Sequence, residues 1–404
     1  MDNSKDIVIV SACRTPFGRY CGSLKEMDYF DLGAVSLRAV YERVGLPADK
    51  VDEVFWGVGD TSVCKDVYTP VAARQTLIKA GLPDETPSIS LDKACVSAMS
   101  ALKLATMAIK LGEIDVAIGG GATSFSQIPL IVRGTRYKGF RIGDQIMEDP
   151  VYMLRYRDFS PVSIDADDLA DEYGVTREEM DEWSCRSHEN YGKAWDEGKF
   201  KDEIIPMEIP QRKADPIKLD KDEQYRPGTT VESLSKLKPI FGAKYITAGN
   251  APGINDGSAA IMIMTREKAK EYGLEVLGSI VAMSSIATKP NRMAEVPAIA
   301  TIKALEIAGL TIDDMDVCEI NEAFAAVPLV STQYLCDKDK AKTKKLREKY
   351  NINGSAVAIG HANTASGARI IMNLLYELRR RGGGYAAGAI CGGLAQGDAC
   401  IIKV

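Results

Sequence analysis

The chain has 404 residues, 46% of them apolar and 26% charged, with a formal net charge of −6. That length exceeds a usual single core and predicts two domains or a duplicated one. The acid excess argues against general nucleic-acid binding, and nothing predicts a membrane surface. No stretch approaches the roughly 20 consecutive apolar residues of a spanning helix. A polar start runs directly into the apolar Ile7–Val10 without a basic leader, so a cytoplasmic protein is expected.

The first segment alternates strand and helix. Ile7–Ala12 reads as a buried strand, and Asp31–Val44 as a helix with Leu32, Val35, Leu37, Val40 and Val44 at helical spacing, stopping near Gly45. A strand over Val51–Val58, a helix over Thr69–Ala80 and a strand over Pro87–Leu91 follow. Cys95 then stands among small residues before the helix-competent run Ala98–Gly112, with a further strand at Val116–Ile118. This βαβ rhythm predicts a largely parallel sheet covered by helices. From about Ser126 to Glu275 the chain is charged, aromatic and broken by Pro and Gly, with an acidic helix pair across Asp167–Gly198, and it reads as an insertion. Residues 276–404 return to the first rhythm. The predicted units are 1–125, 126–275 and 276–404.

The return is a repeat. Gly45-Leu46-Pro47-Ala48-Asp49-Lys50-Val51-Asp52 is echoed by Gly309-Leu310-Thr311-Ile312-Asp313-Asp314-Met315-Asp316, each between an amphipathic helix and an apolar strand. Further on, strand–Cys95–helix lines up with strand–His361–helix at nearly the same offset, and Gly119–Gly121 roughly with Cys391-Gly392-Gly393. A half-chain repeat predicts two similar α/β halves packed on each other, with matching positions meeting at the seam.

Nine cysteines, Cys13, Cys21, Cys64, Cys95, Cys185, Cys318, Cys336, Cys391 and Cys400, are odd in number, irregularly spaced and without a two-residue pairing. Neither disulfides nor a Cys-built metal site is expected. Only two histidines are present. His188, between Arg186-Ser187 and Glu189-Asn190, reads as a solvated helix face. His361 opens a second small-residue turn opposite Cys95 in the repeat, which makes it the natural base for a thiol. Free cysteine is commonly just a small buried hydrophobe, yet a thiol at a helix N-terminus is placed to favour a thiolate. Cys391 sits in a glycine-flanked turn, and Asn321 follows a strand at a sheet end, where ligands bind in α/β proteins; an asparagine there can equally be a helix cap.

These residues lie in motifs that resemble the thiolase family over nearly the whole chain. They run from Ser11-Ala12-Cys13-Arg14-Thr15-Pro16-Phe17-Gly18 through Cys95, Thr247-Ala248-Gly249-Asn250, Asn255-Asp256-Gly257 and Asn321-Glu322-Ala323-Phe324. Gly360-His361, Ala365-Ser366-Gly367-Ala368-Arg369 and Cys391-Gly392-Gly393 complete the set. The resemblance implies duplicated βαβαβαββ halves in a layered α/β/α/β/α core with an inserted loop domain. It also implies acyl-CoA acyltransferase chemistry: thiolytic cleavage of a 3-oxoacyl-CoA, or the reverse Claisen condensation, through an acyl-Cys95 intermediate. His361 would take the Cys95 proton and Cys391 would act as acid and base on the α-carbon. His361 and a water held by Asn321 would stabilise the enolate oxygen. The N–H groups of Cys95 and Gly393 would form a second oxyanion hole. Coenzyme A enters as a substrate rather than a resident cofactor, held by the insertion, with Arg226 on the adenine side and Gly253, Ala323 and Phe324 also at its site. A homodimer or larger assembly is implied.

Departures from the family pattern gather around the substrate. Pro161–Asp167 replaces a His-Met-Gly-like run, Pro252 a serine, and Ala362-Asn363-Thr364 the Pro-x-Gly after the histidine. Leu394-Ala395 stands where glycines follow the second cysteine, and Ala122-Thr123 where Met-Glu is usual. Chemistry residues kept beside changed walls predict a non-standard acyl group, bulky or carboxylated. Three competing readings are an acetoacetyl-CoA thiolase, a thiolase-like subunit that needs an accessory protein, and a Cys/His/Asn thiol hydrolase. The Lys-rich Lys338–Lys349 reads as a solvated helix. Gly119–Gly121 is no dinucleotide fingerprint, since no G-x-G-x-x-G opens the segment after it.

Overall fold

The structure, a computed structural model, describes residues 6–59, 70–152, 156, 158–211 and 213–404; Cys64 lies outside them. Among the described residues, nine strands make up the path of one continuous sheet. They are β1 Ile7–Arg14, β2 Glu53–Val58, β3 Ser88–Leu91, β4 Val116–Thr123, β5 Asn255–Thr265, β6 Gly278–Ala287, β7 Val317–Ile320, β8 Tyr385–Gly392 and β9 Gln396–Lys403. Their order is β7-β8-β9-β6-β1-β5-β4-β2-β3, with the two-residue strand Gly18–Arg19 paired to β5. The halves meet at a short antiparallel contact, Val8 with Ser279 and Ile9 with Gly278.

The predicted largely parallel sheet is corrected to a mixed one. Only β2 with β3, β2 with β4, and β7 with β8 are parallel. The inner strands β1, β5, β6 and β9 pair antiparallel with their neighbours. The cause is a return strand in each half: β9 folds back on β8 across a tight turn, and β5 comes back beside β4 after the long insertion. That also moves the end of the insertion. β5 lies inside the first half's sheet, between β1 and β4, so the inserted region ends before Asn255 rather than at 275.

Helices cover both faces. In β1, Ile7 and Ile9 face one core and Val8 and Val10 another, as the period of two requires when both faces are buried. Helices α1 (Tyr29–Glu42) and α2 (Ala72–Ala80) pack on the outer face of the first half. On the outer face of the second half lie α6 (Val296–Ala308) and α7 (Ala326–Leu335), numbered after the insertion helices α4 (Val162–Glu172) and α5 (Arg177–Asp196). Between the halves run α3 (Ser97–Leu111) and α8 (Ser366–Arg381), in contact with each other. The result is the α/β/α/β/α layering. Ala94–Leu111 is long and apolar enough to cross a membrane by length and composition alone, contrary to the expectation for this sequence. Its place here is the middle layer, where most of it is buried.

The echo in the sequence is an echo in space: helix, 3-10 turn and strand recur as α1, Ala48–Lys50, β2 and as α6, Ile312–Asp314, β7. Where β3 pairs with β2, the second half keeps only a parallel bridge from Cys318 to Tyr350.

The insertion is fastened by buried polar groups. Asp167 on α4 accepts backbone N–H bonds from Tyr245 at 3.0 Å and Ile246 at 3.1 Å. Arg14 reaches Glu203 at 2.8 Å and Asp222 at 2.7 Å with no exposure of either partner. Glu322 accepts from Trp183 Nε1 at 2.8 Å and Ser187 Oγ at 2.7 Å on α5. His188, expected on a solvated face, is instead 5% exposed. Its Nδ1 accepts the Arg226 backbone N–H at 3.3 Å, and its ring lies near Tyr225. The polar neighbours of His188 in sequence concealed a helix buried on more than one side.

Candidate active site

Cys95 lies in the 3-10 turn Ala94–Val96, between β3 and α3. Ala94 is held at φ +52, a conformation that L side chains resist, and this aims the following thiol out of the turn. Ser97 Oγ fixes the turn, accepting from Lys93 N at 2.9 Å and donating to the Ala94 carbonyl at 2.6 Å. Lys93 Nζ spans the seam to Asp398 on β9 at 2.6 Å.

His361 arrives from the other half. Gly360 before it has φ +107, and a β-carbon there would stand 2.6 Å from Asn255 Cγ, so only glycine fits. Asn255 Oδ1 accepts the His361 backbone N–H at 2.9 Å, while Asn255 Nδ2 donates to the Gly18 carbonyl at 2.9 Å. The His361 Nε2–Cys95 Sγ distance is 3.0 Å, and Nδ1 lies 2.7 Å from Ser366 Oγ. For Nε2 to take the thiol proton, Nδ1 must carry its own hydrogen and donate it to Ser366.

Burial pushes the Cys95 thiol well above its ordinary range; nearby Cys391 adds to this, and the Cys95 backbone N–H works the other way. Burial, with Arg369 adding, lowers His361 to about 3. The resting pair is therefore neutral, thiol against imidazole. That corrects the expectation that the helix N-terminus would favour a thiolate: loss of water outweighs the helix end. Cys391, fully enclosed at the end of β8, is pushed up to about 12 by burial.

The Cys391 turn faces the Cys95 turn. A β-carbon on Gly392 would meet the Lys93 carbonyl at 3.0 Å, and one on Gly393 would meet Ala94 Cβ at 3.3 Å. Leu394 and Ala395 follow at φ +53 and +54, both left-handed without being glycine. Asn321 joins through Arg369: its Oδ1 accepts from Arg369 Nη2 at 3.3 Å, and its buried Nδ2 has no partner among the described residues. Arg369 itself pairs with Glu319. An orphaned buried amide N–H is a donor kept for an oxygen anion or a water.

Cys95, His361, Cys391 and Gly393 thus converge at the seam, with Asn321 linked to them through Arg369. The residues expected to hold coenzyme A are more dispersed. Gly253 packs against Gln224, two residues before Asn255, and Arg226 is exposed on the loop tied to His188. Ala323 and Phe324 lie at the edge of the second half's core, 9% and 7% exposed. Sequence reasoning placed Asn255 and Ser366 in motifs without a role and missed Lys93. Ser366 stands five residues after His361, where the 3-10 turn Asn363–Ala365 brings it back to the ring; that spacing was the available signal.

The match to known proteins is full-length. The model of the thiolase N-terminal domain covers residues 7–267 and that of the thiolase C-terminal domain residues 274–404. The chain is 41% identical over 400 residues to a probable acetyl-CoA acetyltransferase of Mycolicibacterium smegmatis, covering 98% of this chain and 100% of that one. It is 40% identical over 404 residues to an acetyl-CoA acetyltransferase of Pseudomonas aeruginosa, covering 98% and 99%. Human mitochondrial 3-ketoacyl-CoA thiolase superposes with a TM-score of 0.92 at 35% identity, covering 99% of each chain. The same human enzyme in complex with CoA gives 0.91 at 35% identity, covering 99% and 98%. With the two halves, the paired turns and the motifs in register, the chain belongs to the thiolase family and is an acyltransferase.

Proposed function

We propose that this thiolase runs the reversible thiolytic cleavage of a 3-oxoacyl-CoA with a non-standard, bulky or carboxylated acyl group. The 3.0 Å contact between Cys95 and His361, brought together from matching places in the two halves, carries the reading. Cys95 Sγ attacks the 3-oxo carbon as its proton passes to His361 Nε2, with Nδ1–H held on Ser366. The C2–C3 bond breaks, the electron pair stays on C2, and Cys391 protonates that carbon to release the shorter thioester. Coenzyme A, its thiol proton taken by the Cys391 thiolate, then attacks the acyl-Cys95 carbonyl, and His361 returns its proton to the departing Cys95 sulfur. Asn321 Nδ2, through a water, serves the enolate oxygen, and the N–H groups of Cys95 and Gly393 serve the acyl carbonyl.

Support for CoA as co-substrate comes from the solved CoA complex of the human relative. The insertion is its holder in this reading, with Arg226 toward the adenine and Gly253, Ala323 and Phe324 along the arm. The unusual acyl group is argued from the walls: Leu394 and Ala395 carry side chains at left-handed positions beside Gly393. The exposed edge strand β3, with Ile89 43% exposed, suits pairing with a second copy, and we place the enzyme as a cytoplasmic homodimer or larger assembly.

Cleavage of a panel of 3-oxoacyl-CoAs, with intact-mass detection of the acyl-enzyme, tests the whole reading. An adduct on Cys95, absent in Cys95→Ser, and a branched or carboxylated substrate preferred over acetoacetyl-CoA are the expected results. Acetoacetyl-CoA cleaved best by far returns the enzyme to the role for which its acetyltransferase relatives are named. No adduct with any thioester, until another protein is added, makes it a partner-dependent subunit.

A further inference from the structure

Tyr156 lies in the segment before α4 and has no part in the cleavage steps. Its phenol nevertheless lies against the Gly393 turn. A β-carbon built on Gly393 would stand 2.7 Å from Tyr156 Oη and 2.9 Å from its Cζ, with Ala94 Cβ on the same side at 3.3 Å. The hydroxyl therefore lies over the turn whose N–H receives the acyl carbonyl, and beside the residue that precedes the nucleophile. Tyr156 Oη has no hydrogen-bond partner among the described residues, and the ring is 36% exposed, open to an incoming ligand. Burial, and then the closeness of Cys95, Asp92 and Cys391, raises its ionisation well above the ordinary phenol range, so it stays a donor at every working pH.

We propose that Tyr156 is a specificity-determining residue that donates its hydroxyl hydrogen to an oxygen on the acyl carbon next to the thioester carbonyl, so that 2-hydroxyacyl groups are preferred over plain acyl groups. The position follows from Gly393: a donor beside the group that holds the carbonyl oxygen is within reach of the adjoining carbon, not of a distant chain end. The preference follows from the lone hydroxyl, because covering a donor with a methylene strands it, and sites that offer a hydrogen bond reject analogues that cannot accept one. The nearby Asp92 favours an uncharged oxygen there over a second anion. This rests on the thiolase reading of Cys95 and adds a hydroxyl beside the carbonyl of its acyl group, leaving the far end of the chain as that reading has it.

Acyl transfer to Cys95 from 2-hydroxybutyryl-CoA and from butyryl-CoA, followed by CoA release and intact mass, reads the acyl group alone. In the full-length enzyme the hydroxylated thioester should have the higher kcat/KM, and Tyr156→Phe should lower the ratio of the two at least about tenfold. An unchanged ratio in Tyr156→Phe, whether both rates hold or both fall together, overturns the proposal and leaves the thiolase reading standing. A wild-type enzyme acylated by neither of these but by a longer 3-oxoacyl-CoA overturns the proposal alone; one acylated by no thioester overturns both.

Discussion

The thiol–imidazole pair sets the chemistry at the scale of single residues. Burial raises Cys95 and lowers His361 to about 3, so the pair rests neutral and the proton moves only when substrate arrives. A preformed ion pair would show a thiolate already at pH 6. A neutral pair should be alkylated by iodoacetamide at Cys95 about tenfold faster for each pH unit, without a plateau below pH 9. A plateau between pH 6 and 7, measured by intact mass, would sink the neutral pair. Ser366 acts on the same ring. Without its oxygen the His361 Nδ1–H loses the acceptor that fixes the tautomer, a loss of about 1–3 kcal/mol for a buried donor. Ser366→Ala should lower kcat about tenfold to a hundredfold with KM little changed, and Ser366→Thr should restore much of it. An equal loss in both variants would make Ser366 a packing residue only.

At the scale of elements, the site depends on how closely α3 and α8 approach. A β-carbon on Gly367, the second residue of α8, would stand 2.7 Å from the Met99 backbone nitrogen on α3. A backbone atom cannot swing aside, so Gly367→Ala must part the two helices that carry Cys95 and His361 at their starts. The expected cost is about 1–3 kcal/mol in urea unfolding, as overpacked cores show. A matching loss of acyl-Cys95 formation should accompany it, because the 3.0 Å contact opens. Wild-type stability in this variant would remove the seam argument. Much at this scale was legible beforehand: helix periodicity pointed to α1, small-residue turns before helix-competent runs pointed to α3 and α8, and the repeat begun by the Gly45 and Gly309 echo placed the two turns opposite each other. The return strands were not legible. β5 is apolar over Ala259–Met264, but it lies beyond the long insertion, and direction of pairing leaves no mark on a buried strand. Gly393 and Asn321 stood out as motif residues. Tyr156 could not, because its contact with Gly393 is made across the fold from a segment with no pattern of its own.

At the scale of the whole molecule, the insertion has little core of its own: Leu169, Met180 and Trp183 belong to the core of the second half. Beside that shared packing, a set of buried polar joints holds it, and His188 is one that responds to pH. Burial, with Arg226 adding, lowers His188 to about 4, against 6.5 when unfolded. Between those values the unfolded chain binds a proton that the folded chain does not, so stability rises with pH across this window and is lost as pH falls through it. His361 and several carboxylates also titrate there, and their contributions cancel when two variants are compared at each pH. His188→Gln retains an acceptor for the Arg226 N–H but cannot be protonated. From pH 7 to pH 5 the wild type should lose about 2 kcal/mol more unfolding free energy than His188→Gln, from about 1.36 kcal/mol per pKa unit over the interval below the unfolded value. Urea unfolding at the two pH values measures it. Parallel losses in the two proteins would mean that His188 does not stay neutral in the folded chain, and the joint between α5 and the Arg226 loop would then not be the acid-sensitive one.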